Sequence, residues 1–339
     1  MAFITLDRSA FYHNLDRIAE RAGAKEKVAL VLKDNAYGHG LVPMARAASA
    51  YGIEKAVVRT ADEAQAIAPY FSYILVLSDI PEAPMPDTCF AVNALQSIDR
   101  FPKGSRVELK VDTGMHRNGI APDELAAAFE AITRRGLVLE AVFSHHRSAD
   151  EAGSAFFWQR KRFEAVKQEA AELARRYGLA PLRFHMANSA ALFRTHRCDE
   201  DMVRVGIAAY GCLQMDETLA QPDLRPVLAL WGERVCAREL KAGERVGYGG
   251  TFEAPVPTEA GVYDVGYADG LLRSASGRGY ETPGGAALLG RVSMDSCMFD
   301  TQDAALCIFD DARRYAEAAG TIAYEVLVGL SPAIARRMV

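Results

Sequence analysis

Lys33 has the clearest chemical potential in this sequence, because it directly follows an uninterrupted apolar run. The run covers residues 28–32, and a polar turn with glycines at 38 and 40 follows it. Five apolar residues in succession indicate a strand that is covered on both faces and carries its lysine to the end of a sheet. Burial lowers the pKa of a lysine, and such an amine can act as a Schiff-base nucleophile or a proton-transfer base. Taken alone, a solvated strand end is the commoner fate of a lysine.

The elements that must position Lys33 alternate between strand and helix over the first two-thirds of the chain. Eight strand-like runs occur in order, at 28–32, 56–58, 73–77, 89–92, 107–111, 139–143, 182–186 and 202–205. Most precede a helix-like run, and at one helix start Thr60 and Glu63 have the spacing of a capping box. This α/β alternation predicts a parallel sheet closed into an N-terminal (β/α)8 barrel. An open doubly wound sheet is the alternative, but no G-x-G-x-x-G turn follows the first strand.

The barrel prediction places functional side chains just after the carboxyl ends of the strands, where such barrels carry out their chemistry. Residues suited to catalysis or binding occupy those positions: Lys33, Tyr37, Asp112, Arg117, His145, Asn188, Ser189, Arg204 and Gly206. This coincidence supports the barrel, although it does not identify a reaction.

Beyond about Leu219 the sequence becomes rich in valine and glycine. Its strand-like segments lie at 227–239, 244–252, 261–267 and 286–299, with turn residues between them. This pattern predicts a second, mostly antiparallel β domain, followed by a helix at 310–319 and a short tail. We therefore expect the barrel to span residues 8–219, and the β domain to span 220–339 together with residues 1–7.

Composition narrows the functional classes. The chain has 339 residues, a formal net charge of −5 and no basic block, which argues against nucleic-acid or anionic-membrane binding. The sequence has no run of about 18 apolar residues, so we expect no membrane span. The N-terminus lacks the pattern of a signal peptide. Six scattered cysteines are typical of reduced thiols, so we expect a cytoplasmic protein.

Six segments resemble the alanine racemases, barrel enzymes that use pyridoxal phosphate. In chain order they read VLKDNAYGHG (31–40), KVDTGMHRNG (110–119), HMANS (185–189), RVGI with YG (204–211), GYADG (266–270) and GRVSMD (290–295). Each segment alone is a weak signal. Six of them in order, across nearly the whole chain, are highly specific.

The resemblance implies a two-base proton transfer that interconverts L-alanine and D-alanine, supplying D-alanine for peptidoglycan. Lys33 then holds the cofactor as a Schiff base and serves as the base on one face, and Tyr248 serves on the other. A tyrosine ordinarily titrates near about 10 and needs help to act at neutral pH. In the family a histidine and an arginine supply it, and His145 and Arg204 match them.

Further roles follow from the same resemblance. By this resemblance Arg204 faces the pyridine nitrogen of the cofactor. Because an arginine supplies no proton to that nitrogen, the ring withdraws electrons less strongly, which suppresses side reactions. Lys110 matches a lysine that is carbamylated in many members, where the carbamate positions an arginine. The remaining matches are Tyr37, His145, Asn188, Ser189, Gly206 and Ile207 around the cofactor, and Arg117, Tyr267, Met294 and Asp295 around the substrate.

In the family the residues equivalent to Tyr248 and Met294 come from a partner subunit, which implies an obligate head-to-tail homodimer. This sequence departs from the pattern in two places. It lacks a β segment between residues 299 and 324, and Pro332 replaces a phosphate-contacting tyrosine of some members. The alternatives are a broader racemase for serine, lysine or arginine, a decarboxylase of the same barrel class, and a non-catalytic protein that binds pyridoxal phosphate.

Overall fold

The computed structural model describes residues 1–195 and 198–339. The strands of its first two-thirds are β1 (Phe3–Leu6), β2 (Val28–Val31), β3 (Lys55–Val58), β4 (Tyr73–Val76), β5 (Thr88–Val92), β6 (Arg106–Lys110), β7 (Val138–Phe143), β8 (Arg183–His185) and β9 (Val203–Val205). Strands β2 to β9 form one parallel sheet in the order β8-β7-β6-β5-β4-β3-β2-β9. Its two end strands meet where Arg204 N donates to Ala187 O at 3.0 Å and Asp201 N donates to Phe184 O at 3.2 Å. The predicted barrel is confirmed, and the open doubly wound alternative is wrong.

Helices connect most of these strands. The first of them begins at Arg8, after Asp7, whose carboxylate accepts a backbone N–H of the first turn. This helix buries Phe11, Leu15 and Ile18. Their spacing of three and four residues gives the helix one apolar face, which joins the core. The α-helices of the barrel part are Arg8–Ala22, Leu41–Tyr51, Ala61–Ile67, Leu125–Arg135, Ala155–Arg176 and Ser189–Arg194, with 3-10 turns at Lys25–Lys27, Ala68–Tyr70, Leu95–Arg100 and Pro122–Glu124.

The predicted capping box is half formed. The Thr60 hydroxyl accepts the backbone N–H of Glu63 at 3.2 Å, so the cap itself is confirmed. The second half is wrong, because the Glu63 carboxylate does not return to Thr60. It accepts the backbone N–H of Asp34 at 2.7 Å and that of Arg59 at 2.8 Å. The carboxylate therefore stabilises the turn that follows the first barrel strand.

The C-terminal part is a mostly antiparallel sheet, as predicted. Its strands are β10 (Leu228–Leu240), β11 (Arg245–Val246), β12 (Phe252–Glu253), β13 (Thr258–Tyr263), β14 (Cys297–Phe299), β15 (Ala305–Phe309) and β16 (Ala335–Met338). The main sheet has the order β14-β13-β10-β1-β16, with β15 paired to β10 and with β11 and β12 forming a separate hairpin. The N-terminal strand β1 pairs antiparallel with β10 and parallel with β16, so both chain ends lie in this sheet.

Several predicted elements of this part are wrong. The sequence predicts one strand over 286–299, but only the last three residues of that segment form β14. The predicted tail after 319 instead contains a helix, Ala323–Gly329, and the strand β16. Strand β16 pairs with the opposite end of the chain, and its residues Ala-Arg-Arg-Met show no apolar alternation. Its formation depends on non-local pairing, which local sequence does not reveal.

The other helical elements here are the α-helix Ala312–Ala319 and 3-10 turns at Tyr248–Gly250, Tyr267–Asp269 and Arg273–Ala275. One cluster of buried apolar side chains extends from the barrel into the C-terminal sheet. Within the described ranges, no helix combines the length and the apolar composition that a membrane crossing requires.

Candidate active site

Lys33 begins a single left-handed turn at the end of β2. The next four residues have φ angles of 53° (Asp34), 57° (Asn35), 52° (Ala36) and 51° (Tyr37). Left-handed backbone costs roughly 1–2 kcal/mol for each residue that carries a side chain, and such strain concentrates at functional sites. The surrounding structure must therefore hold this turn in place.

Two parts of the fold hold the turn. On one side, the Glu63 carboxylate accepts the N–H of Asp34. On the other side, Arg336 Nε donates to Gly38 O at 2.9 Å, and a Cβ added to Gly38 would lie 1.9 Å from the carbonyl oxygen of Leu327. The helix Ala323–Gly329 and β16 thus hold the turn against the barrel, although they are almost 300 residues away in the chain.

The Lys33 amine lies half-buried at the barrel mouth, by which we mean the end of the barrel where the carboxyl ends of strands β2 to β9 lie. Its side chain keeps 36% exposure, and Nζ lies 3.3 Å from Asp34 Oδ2 and 5.9 Å from the ring centroid of Tyr37. Arg59 also donates to Asp34 at 3.0 Å. Burial raises the pKa of the Asp34 carboxyl, but Arg59 and Lys33 outweigh burial and lower this pKa below its usual range. Asp34 is therefore an anion that holds the amine at the mouth.

Hydroxyl groups and backbone N–H groups lie close together at the turn after β9. Ser189 Oγ accepts the N–H of Gly206 at 3.1 Å and that of Ala208 at 3.3 Å. Burial raises the pKa of Tyr37, so its hydroxyl keeps its proton. A Cβ added to Gly206 would lie 2.6 Å from that hydroxyl oxygen, so only glycine leaves room there. Such a set of donors suits a phosphate.

Asn188 and Ile207 lie next to these donors. Asn188 precedes the helix Ser189–Arg194 and caps it, since its Oδ1 accepts the N–H of Ala191 at 2.9 Å. Its Nδ2 donates to His146 O at 3.4 Å, which ties β8 to the loop after β7. Ile207 is buried in the turn that carries Gly206.

Arg204 lies buried at the floor of the mouth. Its Nη2 donates to Ser144 O at 2.7 Å and lies 3.3 Å from His145 Nδ1, and its Nη1 contacts His185 Nδ1. In the part of the chain that the structure describes, its Nε donates to no acceptor. A free guanidinium N–H suits a weak nitrogen acceptor such as a pyridine, so Arg204 fits the ring of pyridoxal phosphate.

His145 is neutral in this arrangement. Burial lowers the pKa of His145 well below its usual value, and the positive charges of Arg204, Lys110 and Arg117 lower it further. Because an arginine only donates hydrogen bonds, His145 Nδ1 is the acceptor and the ring proton lies on Nε2. Within the described residues, that N–H donates to no acceptor.

Two more cations lie near Arg204. Burial lowers the pKa of Lys110 to about 8, with further contributions from Arg204 and Arg117. Arg117 is exposed on the loop after β6. This loop begins at Asp112, whose Oδ1 accepts three backbone N–H groups, the nearest from Gly114 at 2.8 Å.

The remaining predicted residues lie on the β domain. Tyr248, Tyr267 and Met294 keep 66%, 43% and 54% exposure, and Asp295 is exposed beside them. No hydrogen bond, ion pair or ring contact within residues 1–195 and 198–339 joins these side chains to Lys33.

The loops that carry these β-domain residues pack together. Tyr267 N donates to Ser293 O at 3.0 Å, and a Cβ added to Gly266 would lie 2.2 Å from Met294 O. The Tyr248 turn also adjoins the Met294 loop, because a Cβ added to Gly290 would lie 2.8 Å from Val246 O. The three exposed side chains thus lie on neighbouring loops.

Sequence reasoning missed two residues beneath Arg204. Glu108 and His185 are fully buried, and His185 Nε2 lies 2.9 Å from Glu108 Oε2. A signal was present, because β6 reads Arg-Val-Glu-Leu-Lys, whereas the strands of a covered parallel sheet are usually apolar throughout.

Tyr324 was missed too, because it lies on a helix that was not predicted. Its ring centroid is 5.9 Å from that of Tyr37. It therefore lies beside the tyrosine whose hydroxyl approaches Gly206.

Comparison with known proteins agrees with this geometry. Residues 6–214 match the family described as "Alanine racemase, N-terminal domain", and residues 227–338 match "Alanine racemase, C-terminal domain". The chain is 46% identical to an alanine racemase of a Nitratiruptor species over 99% of both chains. It is 44% identical to an alanine racemase of Campylobacter curvus over the full length of both.

A solved structure agrees as well. The alanine racemase of D-cycloserine-producing Streptomyces lavendulae superimposes with a TM-score of 0.88 at 29% identity, covering 100% of this chain and 97% of that one. Both family matches together span nearly the whole chain, including the barrel mouth and the exposed β-domain loops. The chain belongs to the alanine racemase family.

Proposed function

We propose that this protein interconverts L-alanine and D-alanine with pyridoxal phosphate, using Lys33 of one subunit and Tyr248 of a second subunit as opposing proton-transfer groups. One observation carries the proposal: three kinds of group lie at the same barrel mouth. They are the Lys33 amine, the hydroxyl and N–H groups suited to a phosphate, and a buried arginine with a free Nε. These groups match the three parts of the cofactor: its aldehyde, its phosphate and its ring nitrogen.

Different residues at the mouth would bind different parts of the cofactor. Lys33 Nζ would bind it covalently, and Arg204 Nε would hydrogen-bond its ring nitrogen. When bound, pyridoxal phosphate withdraws electron density from the substrate α-carbon, which makes the proton there removable. The hydroxyls of Tyr37 and Ser189 and the N–H groups of Gly206 and Ile207 would hold the phosphate, with Asn188 and His145 supporting the ring.

Two side chains would move the proton. Lys33 Nζ accepts or returns it on one face of the α-carbon, and the Tyr248 hydroxyl does so on the other. Neutral His145, with its proton on Nε2, can pass a hydrogen bond from Arg204 towards the tyrosine. Because Arg204 gives up no proton at neutral pH, it limits the electron withdrawal and favours return of the proton over side reactions.

The exposed β-domain loops would complete the site of a partner. Exposed aromatic and methionine side chains on neighbouring loops are typical of a surface that another chain covers. A head-to-tail homodimer places Tyr248, Tyr267, Met294 and Asp295 over the mouth of the neighbouring barrel and creates two shared sites. Arg117 would then bind the substrate carboxylate.

Two local features adapt the proposal to this chain. The Tyr324 hydroxyl would take the place of the phosphate contact that Pro332 cannot make. Lys110 would carry a carbamate, because a lysine whose pKa is about 8 offers a substantial neutral fraction to carbon dioxide. The resulting negative charge would lie between Arg204 and Arg117, and it would hold Arg117 in position.

We assign the barrel to residues 8–219 and the β domain to residues 220–339 with 1–7. This division agrees with the pairing of β1 with β10 and β16. The six cysteines are free, which is compatible with a place in the cytosol, where D-alanine would be supplied for peptidoglycan.

Racemisation of alanine by the purified protein with added pyridoxal phosphate tests the proposal. Borohydride should fix the cofactor to the peptide that contains Lys33, and Lys33→Ala should abolish both the fixation and the activity. Lys161→Ala, at an exposed lysine on the barrel exterior, is the matched control and should change neither. Cofactor fixed to Lys33→Ala would refute the assignment. A panel of serine, lysine and arginine separates an alanine enzyme from a broader racemase.

A further inference from the structure

Strands β6 and β8 place a carboxylate and an imidazole inside the barrel, below the mouth. Glu108 and His185 are both inaccessible to solvent. The interior of such a barrel is usually filled with branched apolar side chains, and buried polar groups are costly unless they are hydrogen-bonded. The contacts of these two residues explain their presence.

The hydrogen bonds define the protonation of His185. Arg204 Nη1 contacts His185 Nδ1, and because an arginine can only donate, Nδ1 must accept. The single ring proton is therefore on Nε2, which lies 2.9 Å from Glu108 Oε2 and donates to it. One neutral imidazole thus links the carboxylate to the guanidinium.

Glu108 is held as an anion. Its Oε1 accepts from Tyr73 Oη and from Arg183 Nη2, the latter at 3.1 Å. Burial raises the pKa of Glu108, but His185 and Arg183 outweigh it and leave the pKa below its usual value. Burial likewise lowers the pKa of His185, in agreement with a neutral ring.

We propose that Glu108 is a positioning residue for Arg204, acting through His185, and that it fixes which guanidinium N–H remains free for the cofactor ring. This inference rests on the proposed function for its catalytic consequence. The hydrogen-bond chain itself is a property of the protein without cofactor. If Glu108 loses its charge, His185 no longer needs to keep its proton on Nε2.

Glutamine at position 108 makes a discriminating test. Two donors, Tyr73 and Arg183, approach Oε1 and hold the amide oxygen there. The amide NH2 then faces His185 Nε2, which must become the acceptor. The ring proton moves to Nδ1. There it faces the N–H of Arg204 Nη1, and because two donors cannot form a hydrogen bond, the guanidinium is displaced.

Glu140 provides a matched control. It is a carboxylate of the same network and pairs with Arg183 at 2.9 Å and with Arg106, but it makes no hydrogen bond to His185. Glu140→Gln therefore removes an equal charge and disturbs the same arginine. It leaves the link between His185 and Arg204 intact.

The experiment begins with 15N-histidine NMR of the wild type, Glu108→Gln and Glu140→Gln without cofactor, with the His185 signal assigned by His185→Asn. We expect an Nε2–H tautomer in the wild type and in Glu140→Gln, and an Nδ1–H tautomer in Glu108→Gln. An Nδ1–H tautomer in the wild type would overturn the proposal, and so would an unchanged tautomer in Glu108→Gln. If Glu108→Gln does not fold, the wild-type tautomer alone decides.

A second readout uses the holoenzyme. Glu108→Gln should bind pyridoxal phosphate roughly 10- to 100-fold more weakly, the range found where a second side chain orients a metal-ligating one. It should also transfer the amino group of alanine to the cofactor more often per racemisation event than the wild type, releasing pyruvate and leaving pyridoxamine phosphate, whereas Glu140→Gln should match the wild type in both. Equal behaviour of the two variants would overturn the proposal. A wild-type protein that does not racemise alanine would count against the proposed function alone.

Discussion

At the barrel mouth, Lys33, Ser189 and Arg204 are each held by defined partners, whereas Tyr248 and Met294 on the β domain project into solvent. The mouth carries backbone strain at four consecutive residues, which contacts from Glu63 and from Arg336 near the C-terminus hold in place. Within residues 1–195 and 198–339, no hydrogen bond or ion pair holds the exposed side chains of Tyr248 and Met294.

This difference indicates that the barrel mouth and the β-domain loops have different roles. At the barrel mouth, hydrogen bonds and an ion pair within the chain already hold the polar side chains in place. The other region presents apolar and phenolic groups that a single chain leaves uncovered. Under the proposed function, each region supplies groups that the other lacks, and a dimer would unite them.

The largest effect that separates the two regions is expected from Tyr248→Phe. The variant loses a hydroxyl that a single chain leaves in solvent, so the free energy of unfolding should stay within about 0.5 kcal/mol of wild type. Racemisation should fall by roughly 10²- to 10⁴-fold, the usual contribution of a general acid or base. Tyr177→Phe, a half-buried tyrosine at a barrel helix end, is the control.

The direction of the Tyr248→Phe defect sharpens the comparison. Exchange of the α-proton with deuterium should be impaired far more when the reaction starts from L-alanine than from D-alanine. Lys33 serves the other face and remains intact. Equal impairment from both enantiomers would argue against two opposing bases.

A smaller effect is expected at the mouth from Gly206→Ala. The added methyl group would lie 2.6 Å from Tyr37 Oη and would displace the hydroxyl from the phosphate donors. Overpacking costs about 1–3 kcal/mol, which corresponds to roughly 5- to 150-fold weaker binding of pyridoxal phosphate. Gly153→Ala is the control, since its Cβ would meet nothing within 4 Å. Unchanged cofactor affinity in Gly206→Ala, measured by fluorescence titration, would place the phosphate elsewhere.

The smallest effect concerns Lys110. Carbamate forms from the neutral amine, and because the pKa of Lys110 is lowered to about 8, about half of this residue is neutral at pH 8. An ordinary lysine is under about 1% neutral there. In 13C-bicarbonate, a carbamate signal should grow as the pH rises through 8, and it should be absent from Lys110→Arg. The same signal in both proteins would exclude Lys110 as its source.

Much of this fold could be predicted from local patterns. The apolar run before Lys33 marked the first barrel strand, and Thr60 marked a helix start. Glu63 shows the limit of such reasoning, because its spacing fits a capping box whereas its carboxylate serves a turn 29 residues away. No local rule favours left-handed backbone at Ala36 or Tyr37, and contacts from Glu63 and from the C-terminal segment hold that turn in place.

The candidate site was predictable for a related reason. Residues at strand ends, such as His145 and Arg204, stand out because a barrel uses those positions. Glu108 lies in the middle of a strand, so its role depends on which residue of a distant strand it meets. The position of Tyr324 beside Tyr37 was hidden because its helix packs against the turn after Lys33, which is far away in the chain.

Subunit complementation tests the central claim most directly. Lys33→Ala and Tyr248→Phe should each be inactive as homodimers. After the two proteins are mixed and their subunits exchanged, half of the dimers are mixed, and each mixed dimer has one site with both Lys33 and Tyr248. About one quarter of wild-type activity should therefore return, as shared sites in a twofold dimer require. If mass spectrometry shows mixed dimers and no activity returns, the two groups do not act across the subunit boundary.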